Sequence, residues 1–201
     1  MRSGISLSLD IRNFTEEQKV ILYTLGLLER NNRMLDLTSL QKILFLVTKN
    51  FPEMLYIYNE DYEPFDFGPY SELLERDVAR LQDLNVVDKN LIVKEENKGL
   101  LIEYEKTNRK ESANIAEFLD GFMDLSRDDL LYVVYKLYPE YTTKSRIAKK
   151  IRSEKYDSYN IDFDELKIKG SMTIVTEKGT MIMVKLIDDR IVITTLIDGD
   201  L

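Results

Sequence analysis

The chain has no cysteine, no histidine and no tryptophan, and only four prolines in 201 residues. Without cysteine there is no disulfide framework and no thiolate metal site. Without histidine the commonest general base near neutral pH is missing, and so is the commonest metal ligand. Zinc sites of the usual kinds are therefore excluded, whereas catalysis by carboxylate, lysine or tyrosine is not. No run of about 18 uncharged apolar residues occurs, so no segment reads as a membrane span. The opening MRSGISLSLDIRNF lacks the apolar stretch of a secretory signal. The expected compartment is the cytoplasm. A glycine-rich phosphate loop is also missing. The acid pairs Asp128-Asp129, Asp188-Asp189 and Asp162/Asp164 sit in no Asp-x-Asp-x-Asp-Gly calcium loop. They read as caps, turns and linker, and neither metal nor cofactor is expected.

What the chain does have is an ordinary apolar fraction, 44%, and a formal net charge of −8. The first is enough for a buried core. The second repels phosphate backbones unless positive charge is gathered locally, so a nucleic-acid role requires a basic patch.

Hydrophobic periodicity and caps divide the chain. Thr15-Glu16-Glu17-Gln18 has capping-box form and opens a helix to about Arg30. Thr38-Ser39-Leu40-Gln41 repeats the form and predicts a second helix ending near Asn50. Residues 51–69 read as irregular and aromatic. A third helix runs from about Tyr70, with Leu74, Val78, Leu81 and Leu84 on one stripe expected to face Leu40, Ile43 and Leu44. Leu91-Ile92-Val93 and Leu100-Leu101-Ile102, parted by a polar stretch, predict a β-hairpin. Three helices and a hairpin follow the order of a winged helix-turn-helix. Further helices are expected around Ile115–Phe122, after Ser126, and from Lys144 to Arg152. Three strand-like runs near 172–175, 181–184 and 191–194 predict a small C-terminal meander. The expected fold is thus α+β: a winged-helix domain over 1–107, a helical extension over 108–155, and a linker with the meander over 156–201. One face of the meander, expected to carry Ile174, Met181, Met183, Ile191 and Ile193, must pack on the helices or pair with a second chain in a homodimer.

The run Ser39-Leu40-Gln41-Lys42-Ile43-Leu44-Phe45-Leu46, followed by Phe65-Asp66-Phe67-Gly68-Pro69-Tyr70-Ser71, resembles a group of phage-associated and archaeal winged-helix proteins related to the Panacea antitoxin family. Leu131-Tyr132-Val133-Val134-Tyr135 and Tyr138-Pro139-Glu140-Tyr141 are similar to the tyrosine-rich segment of the same group. The likeness covers residues 15–150, roughly. It implies a winged-helix fold and a non-enzymatic antitoxin-like or regulatory role.

Two kinds of candidate site follow. For nucleic acid or phosphate, Arg76 and Arg80 lie on the third helix, the position that reads the major groove in winged-helix proteins. That helix also carries Glu72, Glu75, Asp77 and Asp83, which suits DNA poorly. A better patch is Lys144, Arg146, Lys149, Lys150 and Arg152, with no acid between them. Its plainer reading is a solvated amphipathic helix paired with the acidic body. Among the aromatics of residues 51–70, Tyr56, Tyr58, Tyr62 and Phe65 are the candidates for a protein partner: they could line a peptide groove or stack on bases, or else complete the core. The expected function is a protein-binding adaptor or antitoxin-like regulator. The alternative is a winged-helix DNA-binding regulator of transcription. No membrane partner is expected.

Overall fold

The computed structural model describes residues 9–123, 125–147, 166, 169–175, 181–187 and 190–196. Among the described residues the fold is mixed α+β, with seven α-helices and two small antiparallel sheets. No described helix is long and apolar enough to cross a membrane.

Helix α1 covers Glu16–Arg30, and the Thr15–Gln18 capping box closes its first turn as expected. Helix α2 covers Leu37–Asn50, but Asp36 caps it rather than Thr38. The Asp36 carboxylate accepts from the Ser39 N–H at 2.7 Å. A charged acceptor at this end also meets the positive pole of the helix, so it displaces the hydroxyl two residues on. The region expected to be irregular contains α3 (Tyr56–Asp61) and a hairpin of β1 (Glu63–Phe65) with β2 (Gly68–Tyr70). Helix α4 covers Glu72–Asp83, capped by Ser71. Leu74, Val78 and Leu81 are buried as one stripe, but α4 packs chiefly on α1 and α3 rather than on Leu40–Leu44 of α2.

The hairpin expected over 91–102 is not formed. Lys98–Thr107 is helix α5. Leu100, Leu101 and Tyr104 turn inward while Ile102 is exposed, a helical spacing that an apolar triplet disguises. Gly26 in α1 explains the choice, since a Cβ there would lie 2.3 Å from Leu101 Cδ1. The glycine leaves a notch in which α5 seats. Val93 pairs instead backwards with Val87, in a short antiparallel turn directly after α4. Asp88 N–H donates to Ile92 O at 2.9 Å and Lys94 N–H to Val86 O at 3.0 Å.

Helices α6 (Arg109–Asp120) and α7 (Arg127–Leu137) follow, the latter with a Ser126–Asp129 capping box. Pro139 stops α7 and opens a 3-10 turn to Thr142. Residues 144–147 form a turn and bend, so no helix begins at Lys144; residues 148–152 lie outside the described ones.

The meander is present: β3 (Ser171–Val175), β4 (Met181–Ile187) and β5 (Arg190–Leu196), in that order. Its buried face carries Ile182, Val184, Ile191 and Ile193. Met181 and Met183, expected with them, occupy the opposite face, because Val184 stands opposite Ile193 and alternation excludes its neighbours. Ile174 stands opposite Ile182 in the register. The sheet packs on the helices. Asn50 at the end of α2 reads the Ile191 backbone twice: its Nδ2 donates to Ile191 O at 3.0 Å, and its Oδ1 accepts from Ile191 N–H at 2.6 Å.

Candidate functional site

The residue pair Gln41-Lys42 on α2 organises the surface above it. Gln41 Nε2 donates to Ser71 O at 2.8 Å, while Ser71 N–H donates to Gln41 Oε1 at 3.0 Å. Lys42 Nζ donates to Pro69 O at 2.7 Å. These bonds seat the strand Gly68–Tyr70 and fix the start of α4. Asp61 adds to the clamp, accepting from Ser71 Oγ and from Leu73 N–H. Lys42 is only 2% exposed. Burial pushes its ammonium down to about 7, with Asp36 opposing that shift and Arg127 reinforcing it.

Gly68 lies at φ 88°, in the left-handed region, and a Cβ there would stand 2.5 Å from Tyr135 Cε1. The motif residues therefore have a shared mechanical reason: α2 holds the turn by polar bonds, and α7 supports it with a tyrosine ring. We expect Gly68→Ala to destabilise the protein by about 1–3 kcal/mol, through backbone strain and the ring clash. A urea midpoint unchanged from wild type would contradict this.

So held, the hairpin projects aromatics outward. Phe65 is 45% and Phe67 38% exposed. Phe65 stacks on Tyr70 with centroids 4.9 Å apart, and Tyr70 donates to Glu75. That bond raises the Tyr70 phenol to about 12. Phe67 lies under the Arg127 guanidinium at 6.0 Å, and Arg127 pairs with Asp36 at 3.5 Å. Glu75 and Asp36 both line one open groove of about 520 Å³, to which Phe65 and Phe67 connect only through Tyr70 and Arg127. Met34, 70% exposed, stands on the α1–α2 connection, and Val78 and Ala79 of α4 form part of the wall. Leu91 closes the groove from the short turn after α4, at φ 63°. Asp88 Oδ1 holds that turn by accepting from Asn90 and Ile92 N–H, both at 2.8 Å. A second groove of about 220 Å³ shares Met34, Leu35, Asn90 and Leu91 with the first and extends it toward Glu29. Apolar walls with a few charges at the rim can bind apolar side chains with their polar flanks.

The residues expected to form sites are divided. Tyr58 and Tyr62 are 1% and 6% exposed and belong to the core, so they are withdrawn as partner contacts. Tyr58 Oη donates to Asp77 at 2.5 Å, and Asp77 also accepts from Gln18, which ties α3 and α1 to α4. Tyr56 and Phe65 are exposed, with Ile57 and Phe67 beside them in sequence. Arg76 and Arg80 are exposed on α4 but line neither part of the groove. In the basic segment, Lys144 pairs with Glu63 at 3.7 Å and Arg146 with Asp66 at 2.8 Å. Lys149, Lys150 and Arg152 lie outside the described residues. Sequence reasoning missed Met34 and Leu91. Met34 was the legible one, a large apolar side chain inside the polar connection Asn31–Asp36.

Among the described residues no cluster of acids could hold a metal ion. No family model, no curated protein and no solved structure matches the chain.

Proposed function

We propose that this chain is a non-enzymatic regulatory protein, an adaptor or antitoxin-like module on a winged-helix scaffold, which binds a protein partner through the groove at Met34, Ala79 and Leu91. The observation that carries the reading is the groove itself. It is an open cleft with Leu35, Leu37, Val78 and Leu91 in its lining and the exposed side chain of Met34 at its edge. Exposed apolar surface of this kind marks interaction sites. The scaffold reading draws support from α1, α2 and, after the intervening α3 and β1–β2 hairpin, α4 with the short Val87–Val93 turn, which on this reading would serve as the wing. The bonds from Gln41 and Lys42 to the Gly-Pro turn give the motif residues a shared structural role, in keeping with the resemblance to antitoxin-related proteins.

The second reading, DNA binding, rests on exposed Arg76 and Arg80 of α4. Against it stand the acids of that helix and the Glu63 and Asp66 partners of Lys144 and Arg146. Photo-crosslinking in the native host separates the two. A photoreactive residue at position 34 or 67 is expected to yield one discrete protein adduct, unaffected by nuclease, whereas position 102 on α5 yields none. Nuclease-sensitive adducts at position 76 or 80, with nothing at 34 and 67, would replace the protein reading by the DNA one.

A further inference from the structure

We infer that the open edge of β3 pairs with β3 of a second copy of this chain, antiparallel about Thr173, so that two three-stranded sheets join into one of six strands. The contact uses none of the groove residues and stands independently of the protein-binding reading above.

The direction of the backbone groups shows which of them are open. Leu186 N–H of β4 donates to Gly170 O at 3.3 Å. Hydrogen-bonded positions alternate along an antiparallel pair, so Met172 opposite Val184 and Ile174 opposite Ile182 also turn their backbone groups toward β4. Ser171, Thr173 and Val175 lie between them and turn theirs away from the sheet. Among the described residues none of these outward N–H and C=O groups has a hydrogen-bond partner. The other edge of the sheet differs. Ile191 of β5 also directs its N–H and C=O outward, and Asn50 takes both. Ile193 O, next along that edge, lies against Gly121. The helical body thus closes the edge at β5 and leaves the edge at β3 open.

An open edge is a template for another strand, and chains that stay monomeric blunt it with charge, proline or a bulge. The strand β3 has none of these. Ser171-Met172-Thr173-Ile174-Val175 contains no charged residue and no proline, and its register against β4 runs unbroken over all five residues. Three of the five are β-branched, the side chains that favour strands.

The edge also defines its occupant. Outward groups at every second residue call for an extended backbone of the same spacing. A second β3 meets that need completely. Under a two-fold axis through Thr173, Ser171 meets Val175 of the partner subunit, and Thr173 meets Thr173 of the partner subunit. Each such pair exchanges two hydrogen bonds, so every outward group of the strand is used. Met172, half-buried on the face that carries Val184, then continues that apolar face up to the seam. A strand from another protein would close one open edge, whereas self-pairing closes two in one symmetric contact. Charge agrees with this choice. Each copy carries −8, but the five paired residues bring no like charges together.

The test is sedimentation of the full chain over a concentration series. The expected result is a mass that rises from one chain toward two. Thr173 is exposed and its N–H points out of the sheet, so a charge there leaves the fold intact. On the two-fold axis, however, that charge faces its own copy. Thr173→Lys and Thr173→Glu should each weaken self-association by about tenfold or more. An equimolar mixture of the two variants should recover it, which happens only where position 173 faces itself. Thr194→Lys, at an exposed position of β5 away from the seam, should dimerise as wild type does. Circular dichroism establishes that each variant is folded. A wild-type chain that stays single throughout, including one whose edge is taken by a strand of another protein, overturns the inference. So does self-association indifferent to both Thr173 substitutions, an equal loss in Thr194→Lys, or a mixture no stronger than either variant alone.

Discussion

Alanine at position 121 is expected to detach the C-terminal sheet from the helices. Gly121 follows α6 and faces β5 directly: a Cβ there would lie 1.9 Å from Ile193 O and 2.7 Å from its carbonyl carbon. Both are backbone atoms, so no rotamer change relieves the clash, and the strand itself must move. What depends on its position is the buried face of Ile182, Val184, Ile191 and Ile193. Each such side chain contributes about 1.5–3 kcal/mol when fully covered. The Asn50 bonds to Ile191 would be lost with them. We expect Gly121→Ala to cost about 3 kcal/mol or more. Hydrogen exchange should show amides of β4 and β5 losing protection while those of α1 and α2 keep theirs. Gly99 supplies the contrast. It lies in α5 and a Cβ there meets nothing within 4 Å. Gly99→Ala should therefore stabilise by about 0.5–1 kcal/mol. Equal protection of β4 and β5 in Gly121→Ala and wild type would show that the close approach carries no weight.

Stability should rise with pH from about 7 toward 10, and Lys42 should be the reason. Burial pushes its folded pKa down to about 7 from an ordinary 10.5. Between those values the unfolded chain holds a proton that the folded chain has released, so raising the pH favours folding. Below about 7 both states are charged and the dependence ends. The slope approaches 1.4 kcal/mol per pH unit, roughly, for a single proton. Tyr58, Tyr62 and Tyr138, all raised mainly by burial, act in the opposite sense, but only above their ordinary value of 10. Urea unfolding at a series of pH values should show the rise in wild type and a flat line in Lys42→Met. If that variant does not fold, NMR titration of the lysine side chains in the wild type decides the matter: a resonance titrating near 7 is expected. A Lys42 resonance titrating near 10 would remove the explanation.

How legible the fold was depended on the range of the interactions that set it. The starts of α1 and α7 could be read because a capping box lies within four residues, and the structure places both there. At α2 two acceptors competed, and the charged Asp36 took the role given to Thr38. Helix α5 was misread because three apolar residues in a row fit either period, and the deciding contact, Leu101 with Gly26, is remote in sequence. The sheet had the opposite difficulty. Met181-Ile182-Met183-Val184 is apolar on both faces, so alternation gives the strand but not which side is buried; only the pairing of Val184 with Ile193 settles that. At the surface, the aromatics of residues 51–70 could not be sorted into core and exposed. Their places are set by Gln41, Lys42 and Asp77, up to about thirty residues away.

The bond between Asn50 and Ile191 spans 141 positions, against 30 for Gln41 with Ser71 and 27 for Lys42 with Pro69. Closing longer loops costs more entropy, and contacts of wide separation slow folding. The Gly-Pro turn can therefore seat on α2 early, whereas the meander must wait for an assembled body to receive it. A chain emerging from the ribosome makes its N-terminal part first. Until β5 has been made, Asn50 and Phe51 at the end of α2 lack their Ile191 and Arg190 partners, and Gly121 after α6 lacks Ile193. During synthesis, these are the sites where a chaperone would meet the chain.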